Sequence, residues 1–472
     1  MKKFDIQPTE ENLTSSFVSD FLGRDSYILS LVEILNALEG SFSIAIDGSW
    51  GSGKTFAVKQ TKMLIDALNS GNPFSESETG KEIVKKWKQL NNSTEVSIQP
   101  MITTYYDAWE HDDEEDPILS IVYEMMQENY CIDKIPNKRD WPEILKNIAN
   151  FVGKKKLATL IKNANSVVDS VQGQDYFSSS KNTENMRHII NDFIKSLLPE
   201  AGNKLIVFVD ELDRCNPNYA VKLLERIKHY MQNESVVFVF ALNQVELEKT
   251  VRHFYGPNFD ACRYLDRFFD YRLGLPEVDL ERYFAMLGAS GHMNLRQTTC
   301  FEFVRQTGMS LREIPKLLVG SKMATFKITD SKDADRYPFF HFENKNASII
   351  ALDVITPIAI GLKLHNTDSY MDFISGRNSK WLKQIVMSDS LFSWVFNMLL
   401  ENNVTYVKRA EITDEEASER IQELYEAIFV KTYDNGFERE TRVGKVAVDR
   451  GIKLRILEAV NFVSKYRDFS VV

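Results

Sequence analysis

The sequence predicts an α/β fold: a parallel β-sheet with helices on both faces, followed by a helical lid and an α-helical C-terminal domain. Near-continuous apolar runs, typical of strands buried on both faces, occur at 42–47, 204–210, 235–242 and 268–275. Helical periodicity separates these runs, and strands joined by helices indicate parallel pairing. Beyond Pro276 no further strand is expected, because helical patterning dominates to the C-terminus.

The composition is that of a globular protein rather than a disordered one, with 43% hydrophobic and 11% aromatic residues in 472. The net charge of −10 argues against a protein that binds nucleic acid by neutralising phosphates. The four cysteines are scattered without a CxxC pair, which predicts reduced thiols in the cytoplasm and no zinc site. The N-terminus has no apolar signal core.

The predicted domains are a core at 1–276, a lid at 277–330 and a partner-binding or sensing domain at 331–472. Within the core, further elements are expected as helices at 25–38, 54–69, 81–90, 217–232 and 244–254, and a strand at 96–106. The most apolar window, 347–364, contains Asp353 and Pro357 and is short for a membrane span, so a buried helix is expected. No transmembrane segment is therefore predicted.

A helical insert, about 131–200, interrupts the alternation of strands and helices. Its segment 150–171 places apolar residues on one helical face beside several lysines. Two interpretations stay open: a helix packed on its neighbours, or a basic amphipathic helix on a membrane surface or partner.

The segment that follows the first apolar run reads DGSWGSGKT and fits the pattern GxxxxGK[ST]. Gly48 and Gly53 allow backbone conformations that turn successive N–H groups towards a phosphate, and the helix starting at Lys54 adds its positive end. Lys54 would reach the β- and γ-phosphates, and the Thr55 hydroxyl would hold Mg²⁺. The strand before the motif and the helix after it predict a P-loop NTPase core that binds a nucleoside triphosphate.

A second apolar run, LIVFVDELDRC at 205–215, ends in two carboxylates. Asp210 is predicted to bind the Mg²⁺ shell, and Glu211 to orient and deprotonate the attacking water. The alternative is that the two carboxylates are structural ion-pair partners, for example of Arg214.

The tryptophan in the loop makes the motif more specific, because G-x-W-G-x-G-K-[ST] resembles the KAP family of P-loop NTPases. The D-E-L-D-R-C ending, the YYDAWEHDDEEDP segment, the YLDRFFDYRLGLP segment and the leader DFLGRDSYILSLVEIL resemble the same family. The likeness spans about residues 18–325 and continues more loosely through 355–376. It implies that the nucleotide contacts come from Gly48, Ser49, Trp50, Gly51, Ser52, Gly53, Lys54, Thr55 and Phe56.

The resemblance also implies an ATPase core related to the AAA+ and STAND classes, with ATP and Mg²⁺ as ligands. It implies roles in assembling or regulating complexes, often at membranes in animals and often in phage exclusion or other conflict systems in bacteria. The family commonly inserts transmembrane helices between its two nucleotide motifs. The insert of this chain has no run of about 20 apolar residues, so a soluble form is expected.

Several polar residues outside the two motifs are candidates by their position. Arg263 and Arg267 precede the last strand, where AAA+ proteins keep an arginine that acts on a neighbour's γ-phosphate; the alternative is an ion pair with Asp260, Asp266 or Asp270. Asn243 follows the strand at 235–242 and is predicted either as a γ-phosphate sensor or as a helix N-cap. KAP proteins commonly have Asp there.

Arg312, in TGMSLREIPKLL, resembles the second sensor arginine of AAA+ lids, with a solvated or ion-paired arginine as the alternative. Arg24 lies in the leader segment, which resembles the element that frames the adenine in AAA+ proteins. The resemblance implies that Arg24 contacts the adenine. Trp109, at the end of the second strand, is expected either to pack in the core or to act in switching.

The leading hypothesis for function is therefore an ATPase whose hydrolysis switches a helical region and controls assembly, as a homo-oligomer or with partner proteins of a defence or regulatory complex. The alternatives are a nucleic-acid-stimulated ATPase and a scaffold in which the nucleotide is structural. The acidic balance argues against the first alternative, although residues 138–163 carry seven Lys or Arg against two acids. Glu211 argues against the second.

Overall fold

The computed structural model describes residues 6–91, 97–114, 116–128, 190–191, 194–195, 197–198, 202–230, 233–289, 293–329, 344–400, 407–433 and 440–468. The chain divides into two compact units, one made of Gln7–Asp279 and the other containing Leu280–Val472. The segment 150–171 and nearly all of the predicted insert lie outside the described residues, so both interpretations of that segment stay predictions. No boundary near residue 330 divides the second unit, and the separation of a lid from a C-terminal domain also stays a prediction.

The first unit contains a five-stranded parallel sheet, which confirms the predicted fold class. Its strands, in chain order, are β1 Phe42–Asp47, β2 Met101–Asp107, β3 Lys204–Asp210, β4 Val236–Leu242 and β5 Tyr271–Gly274. Their order across the sheet is β2-β3-β4-β1-β5. Asp47 aligns with Leu242, and Asp210 with Ala241 and Asp107, so the carboxyl ends of four strands meet at one edge.

The helices of this unit lie between and before the strands. Among the described residues they include α1 Glu10–Ser19, α2 Asp25–Ala37, α3 Lys54–Leu68, α4 Glu78–Leu90, α5 Pro117–Glu128, α6 Pro217–Tyr230, α7 Gln244–Tyr255 and α8 Ala261–Leu265, with short 3-10 turns at Pro73–Glu76 and Leu212–Arg214.

Alternating residues of the strands enter two separate cores. Ile206 and Phe208 pack with the helices α1 to α4, whereas Val207 and Val209 pack with α5 to α8. A strand that faces apolar surroundings on both sides needs apolar residues at every position, which is why these runs are continuous in the sequence.

The second unit is mostly helical. The helices in its described ranges are α9 Leu280–Met286, α10 Leu295–Thr307, α11 Ile314–Thr329, α12 Lys345–Ile349, α13 Thr356–His365, α14 Thr367–Ile374, α15 Lys380–Val386, α16 Asp389–Leu399, α17 Asp414–Phe429 and α18 Gly451–Asp468. A π-helical turn, Ile350–Ile355, joins α12 to α13.

The expectation of no strands beyond Pro276 is wrong. Strands β6 Glu440–Val443 and β7 Val446–Asp449 form an antiparallel hairpin, and Gly444 takes a φ of 59° in its turn. Val443, Val446 and Val448 are buried, so tertiary packing stabilises strands that are only four residues long. Runs this short carry too little periodicity to be distinguished from a helix or loop.

The apolar window at 347–364 lies in the helical segment Lys345–His365. By length and composition this segment could cross a membrane, but 72% of its most apolar stretch is buried inside the protein. In the described part of the chain, the helix predicted at 347–364 is therefore mostly buried inside the protein.

Candidate nucleotide-binding site

The loop at 48–55, called the phosphate loop below, joins β1 to α3. Gly51 and Gly53 have φ values of 75° and 94°, a region that residues with a Cβ rarely adopt. Gly48 has no such φ, but a Cβ there would lie 2.8 Å from Ser52 Oγ. The glycine pattern therefore has a steric cause at each of its three positions, and the free N–H groups of the first turn of α3 begin at Lys54.

Lys54 is buried, and its ammonium lies inside the loop. Nζ donates to the carbonyl oxygens of Gly48, at 2.7 Å, and Ser49, at 3.2 Å. Burial lowers the pKa of Lys54, and the carboxylates of Asp213, Asp210 and Glu211 oppose this shift. The ammonium of Lys54 thus lies near acidic groups. It could form a charge-assisted hydrogen bond with an incoming anion, which would favour binding.

Asp210 ends β3 and is almost fully buried. Its Oδ2 accepts from the Tyr105 hydroxyl at 2.9 Å, and its Oδ1 accepts from the Glu211 N–H at 2.9 Å. Burial raises the pKa of Asp210, and hydrogen bonds from Thr55 and Tyr105 oppose this shift. The fold thereby brings together the two residues predicted as metal ligands, a hydroxyl and a carboxylate, which suit Mg²⁺.

Glu211 has a left-handed backbone, with φ 60° and ψ 22°, which is uncommon for a residue with a side chain. Its Oε2 lies 2.7 Å from Nε of Arg214. Burial and the charge of Asp210 raise the pKa of Glu211 to about 7, and Arg214 opposes the rise. A carboxylate with this pKa can take up a proton near neutral pH, as a general base must.

Trp50 and Trp109 are both exposed beside these motifs. The indole N–H of Trp50 donates to Asp213 Oδ2 at 2.5 Å, and the Arg214 guanidinium lies 5.6 Å from the centre of the Trp109 ring. Trp109 is more than half exposed, so of its two alternatives packing in the core is wrong, and a role in switching stays a prediction. The backbone N–H of Trp109 donates to Asp107 Oδ1 in the turn that follows β2.

Arg24 is buried against the phosphate loop. Its Nη1 donates to the carbonyl of Ser52 at 2.8 Å, and Nε and Nη2 donate to the carbonyl of Pro276. Burial lowers the pKa of this guanidinium to about 10. The arginine thus ties the phosphate loop to the segment after β5, while its contact with adenine stays a prediction. Phe56 packs against the core under α1 to α4.

Asn243 caps α7, because its side chain accepts from the N–H of Glu246 at 3.4 Å. The next N–H, of Gln244, donates to Asp47 Oδ1 at 2.8 Å. The geometry agrees with the helix-cap alternative, and a sensor role for Asn243 stays a prediction.

Arg263 and Arg267 are exposed, and no ion pair joins either guanidinium to a described residue. The aspartates near them have other partners. Asp260 accepts from the N–H of Arg263, Asp266 accepts from the guanidinium of Arg272, and Asp270 accepts from the N–H of Ser43. The ion-pair alternative is therefore not found. Arg312 is exposed in the turn before α11 of the second unit, and its sensor role stays a prediction.

The polar cluster of the site contains two residues that were not singled out from the sequence, Tyr105 and Asp213. Tyr105 lies in the YYDAWEHDDEEDP segment, and Asp213 in DELDRC, so both belong to motifs already identified. Among the described residues, no three His, Cys, Asp or Glu side chains are placed to hold a metal ion by themselves. A metal here would therefore depend on Thr55, Asp210 and oxygens of a bound phosphate.

Fold and site together define a P-loop nucleotide-binding protein. The KAP family P-loop domain matches residues 24–367, which is more than half of the chain. The chain belongs to the KAP family of P-loop NTPases. No curated protein matches the sequence.

The solved structures that this chain is similar to are distant. They include the Aeropyrum pernix ORC1 protein in complex with DNA, at 12% identity and a TM-score of 0.32, covering 94% of both chains. The Aeropyrum pernix ORC2 protein (ADPNP-ADP complexes) has 11% identity and a TM-score of 0.29, covering 89% of this chain and 94% of that one. C. elegans PCH-2 has 11% identity and a TM-score of 0.25, with coverage of 66% and 63%.

Proposed function

We propose that this chain binds ATP with Mg²⁺ and hydrolyses it, and that hydrolysis drives a conformational or assembly switch. The observation that carries the proposal is the arrangement at one edge of the sheet, where the ammonium of Lys54 donates to Gly48 and Ser49 inside the phosphate loop and Asp210 ends β3. Thr55 and Asp210, the two candidate metal ligands, lie at this edge of the sheet. Lys54 is buried there, and Glu211 follows Asp210 in the chain.

Each residue has a part that follows from its chemistry. The loop N–H groups and Lys54 would bind the phosphates, and Thr55 and Asp210 would hold the metal ion. Mg²⁺, when bound, supplies positive charge against the charge that builds up on the transferred phosphoryl group. Glu211 would accept a proton from the attacking water, since its pKa of about 7 leaves a substantial fraction ionised at neutral pH.

The test is ATP and GTP binding and hydrolysis by the full chain, with two variants of the site. Lys54→Ala should weaken ATP binding by about tenfold or more, as expected for a lost charge-assisted hydrogen bond. Glu211→Gln should keep ATP binding and lower kcat by roughly two decades or more, as for a lost general base. Two exposed ion-pair partners, Lys81 and Glu76, provide the matched controls Lys81→Ala and Glu76→Gln.

Three results would overturn the proposal. Wild-type ATP affinity in Lys54→Ala would remove the assignment of the phosphate loop. Wild-type turnover in Glu211→Gln would remove the assignment of the base, and an inactive wild-type chain that binds ATP would support a scaffold instead.

The switch is proposed to act through assembly. Arg263 and Arg267 are exposed without an ion-pair partner among the described residues, as needed for an arginine offered to the site of a neighbouring subunit. Mass photometry with and without ATP would show whether oligomers form. Full turnover by Arg263→Ala or Arg267→Ala in such oligomers would show that the substituted arginine does not act on the nucleotide of a neighbouring subunit. A setting in antiviral defence is proposed on family membership alone.

A further inference from the structure

The hydrogen bond between Trp50 and Asp213 joins two motifs that are 163 residues apart in the chain. The indole N–H of Trp50 donates to Asp213 Oδ2 at 2.5 Å, so the two side chains are in direct contact. Trp50 is 48% exposed, so little packing holds the indole in this orientation. The contact with Asp213 therefore orients the indole and links the tip of the phosphate loop to the turn after Glu211.

The two residues occupy equivalent places relative to the sheet. Trp50 comes three residues after Asp47, the end of β1, and Asp213 comes three residues after Asp210, the end of β3. Strand β4 lies between β1 and β3, so the ladder hydrogen bonds set the spacing of the strand ends. The last backbone bonds near these ends run from the N–H of Gly48 to Leu242 and from the N–H of Ala108 to Asp210. Beyond them, the Trp50–Asp213 bond connects the phosphate loop directly to the turn after Glu211.

The turn that carries Asp213 is firmly held. It is a 3-10 turn, Leu212–Arg214, between Glu211 in its left-handed conformation and Cys215. Leu212 and Cys215 are buried in the core under α5 to α8. With both anchors fixed, a movement of Asp213 changes the backbone next to Glu211, which is two residues away.

The carboxylate of Asp213 depends on the indole. Asp213 is 5% exposed, and within the described part of the chain its Oδ1 has no hydrogen-bond partner, so Oδ2 carries the bond from Trp50. A buried carboxylate oxygen that loses its hydrogen-bond donor is unfavourable. Asp213 is also the carboxylate that acts most strongly on the ammonium of Lys54. Loss of the indole N–H would therefore favour a shift of the turn and, with it, of Glu211.

We propose that Trp50 and Asp213 are a positioning pair that holds the phosphate loop at a fixed separation from Glu211 and thereby sets the rate of hydrolysis. The pair rests on the proposed ATPase function and refines it. The loop N–H groups and Lys54 determine the affinity for nucleotide. Without the pair the loop would keep its shape, because Gly51, Gly53 and the bond from Arg24 to Ser52 maintain it. This assigns a role to the tryptophan that distinguishes the loop pattern.

The experiment measures kcat by steady-state ATP hydrolysis and the Kd for ATP by equilibrium binding in the full chain. The variants are Trp50→Phe, Asp213→Asn, Asp213→Ala and the double variant Trp50→Phe/Asp213→Ala. We expect kcat to fall about tenfold in Trp50→Phe, equivalent to losing one hydrogen bond in the transition state. Kd should change by less than about threefold in Trp50→Phe, which keeps the carboxylate of Asp213 near Lys54.

Two further expectations separate a specific bond from general damage. Asp213→Asn keeps an acceptor for the indole and should lose less than Asp213→Ala. The double variant should be no slower than the slower single variant, because the two residues act through one bond. Trp394 lies in the second unit and is 62% exposed, so Trp394→Phe serves as the matched control and should keep wild-type kcat.

The failures of the pair and of the ATPase proposal give different results. Wild-type kcat in Trp50→Phe or Asp213→Ala, or losses that multiply in the double variant, would overturn the pair while hydrolysis stands. Equal losses of kcat, ATP affinity and thermal unfolding temperature would also overturn it, because they indicate a structural role. A wild-type chain that does not hydrolyse ATP would overturn both.

Discussion

The Arg214 guanidinium lies 2.7 Å from the Glu211 carboxylate, three residues along the same turn. The pair is mostly shielded from solvent, with exposures of 23% and 13% for the two side chains. Burial and Asp210 raise the pKa of Glu211 to about 7, and Arg214 limits that rise. The ion pair predicted as the alternative to catalysis is therefore present, and it adjusts the protonation of the proposed base.

The first prediction concerns this adjustment. Arg214→Gln removes the positive charge, so the pKa of Glu211 should rise above about 7. Since a general base acts in its ionised form, turnover should fall as pH decreases through the pKa. The acidic limb of kcat against pH should lie near pH 7 in the wild type and move to higher pH in the variant. Superimposable profiles would contradict the role of Arg214.

The second prediction concerns the Tyr105 hydroxyl, which donates to Asp210 Oδ2 at 2.9 Å. Tyr105→Phe removes this donor, so the pKa of Asp210 should rise further and its ionised form should be less available to a metal ion. We expect the Mg²⁺ concentration for half-maximal hydrolysis to increase roughly fivefold, as for the loss of one hydrogen bond to a charged group.

The control for this prediction is Tyr271→Phe, in the exposed part of β5. It should keep the wild-type Mg²⁺ requirement. If Tyr105→Phe shows the same requirement as this control, Tyr105 does not position Asp210.

Much of the core fold could be predicted because its signals are local. The strands at 42–47 and 204–210 have the predicted bounds, since an apolar run ends in each case at an aspartate. Strand order could not be derived in this way. The position of β4 between β1 and β3 depends on pairing between residues about 200 apart, such as Phe42 with Val237.

The side-chain partners of the site show the same limit. The sequence indicates the phosphate loop and DELDRC because each is a compact motif, but it does not indicate that Trp50 meets Asp213 or that Tyr105 meets Asp210. Such contacts depend on which strand ends are neighbours. The β6–β7 hairpin could not be predicted because its stability comes from packing of three valines rather than from a periodic run.

The third prediction concerns His111, which is buried between two carboxylates. Nδ1 lies 3.1 Å from Glu114, Nε2 lies 3.4 Å from Glu124, and the ring stacks on Tyr106. Burial alone would lower the pKa of this histidine, but the hydrogen bonds and charges of Glu114 and Glu124 outweigh burial and raise it to about 9. The imidazolium is therefore the favoured form in the folded protein at neutral pH.

Because the folded pKa is above the ordinary value of 6.5, the contribution of His111 to stability is fully present below about pH 6.5. It should be lost as pH rises through about 9. We expect a loss on the order of 2 kcal/mol, below the full equivalent of the shift because the carboxylates are 14% and 24% exposed. Denaturant unfolding of the wild type and His111→Gln across this range would measure it.

The control for His111 is His365→Gln, in the second unit. This variant should keep the wild-type decrease in unfolding free energy between pH 6.5 and 9, whereas His111→Gln should show a smaller one. An equal decrease in all three proteins would contradict the ion-pair account of His111.

The fourth prediction concerns the contact of α13 with α10 in the second unit. Gly361 has no side chain, and a Cβ there would lie 2.6 to 2.8 Å from three atoms of the Phe303 ring. Phe303 is fully buried, so its ring has little space to move away. Gly361→Ala should therefore destabilise the unit by about 1–2 kcal/mol, because overpacking exceeds the gain in helix propensity of up to about 1 kcal/mol.

A double-variant cycle would separate the steric cause from other effects of the substitution. Phe303→Leu alone should destabilise the unit because it leaves a cavity, by an amount that depends on relaxation. In combination, the methyl group introduced by Gly361→Ala would occupy part of the space that the ring leaves, so this substitution should be less destabilising in the Phe303→Leu background than in the wild type. The measurement is the free energy of unfolding of the four proteins in denaturant. Strictly additive changes would show that the close approach of Phe303 is not what excludes a side chain at position 361.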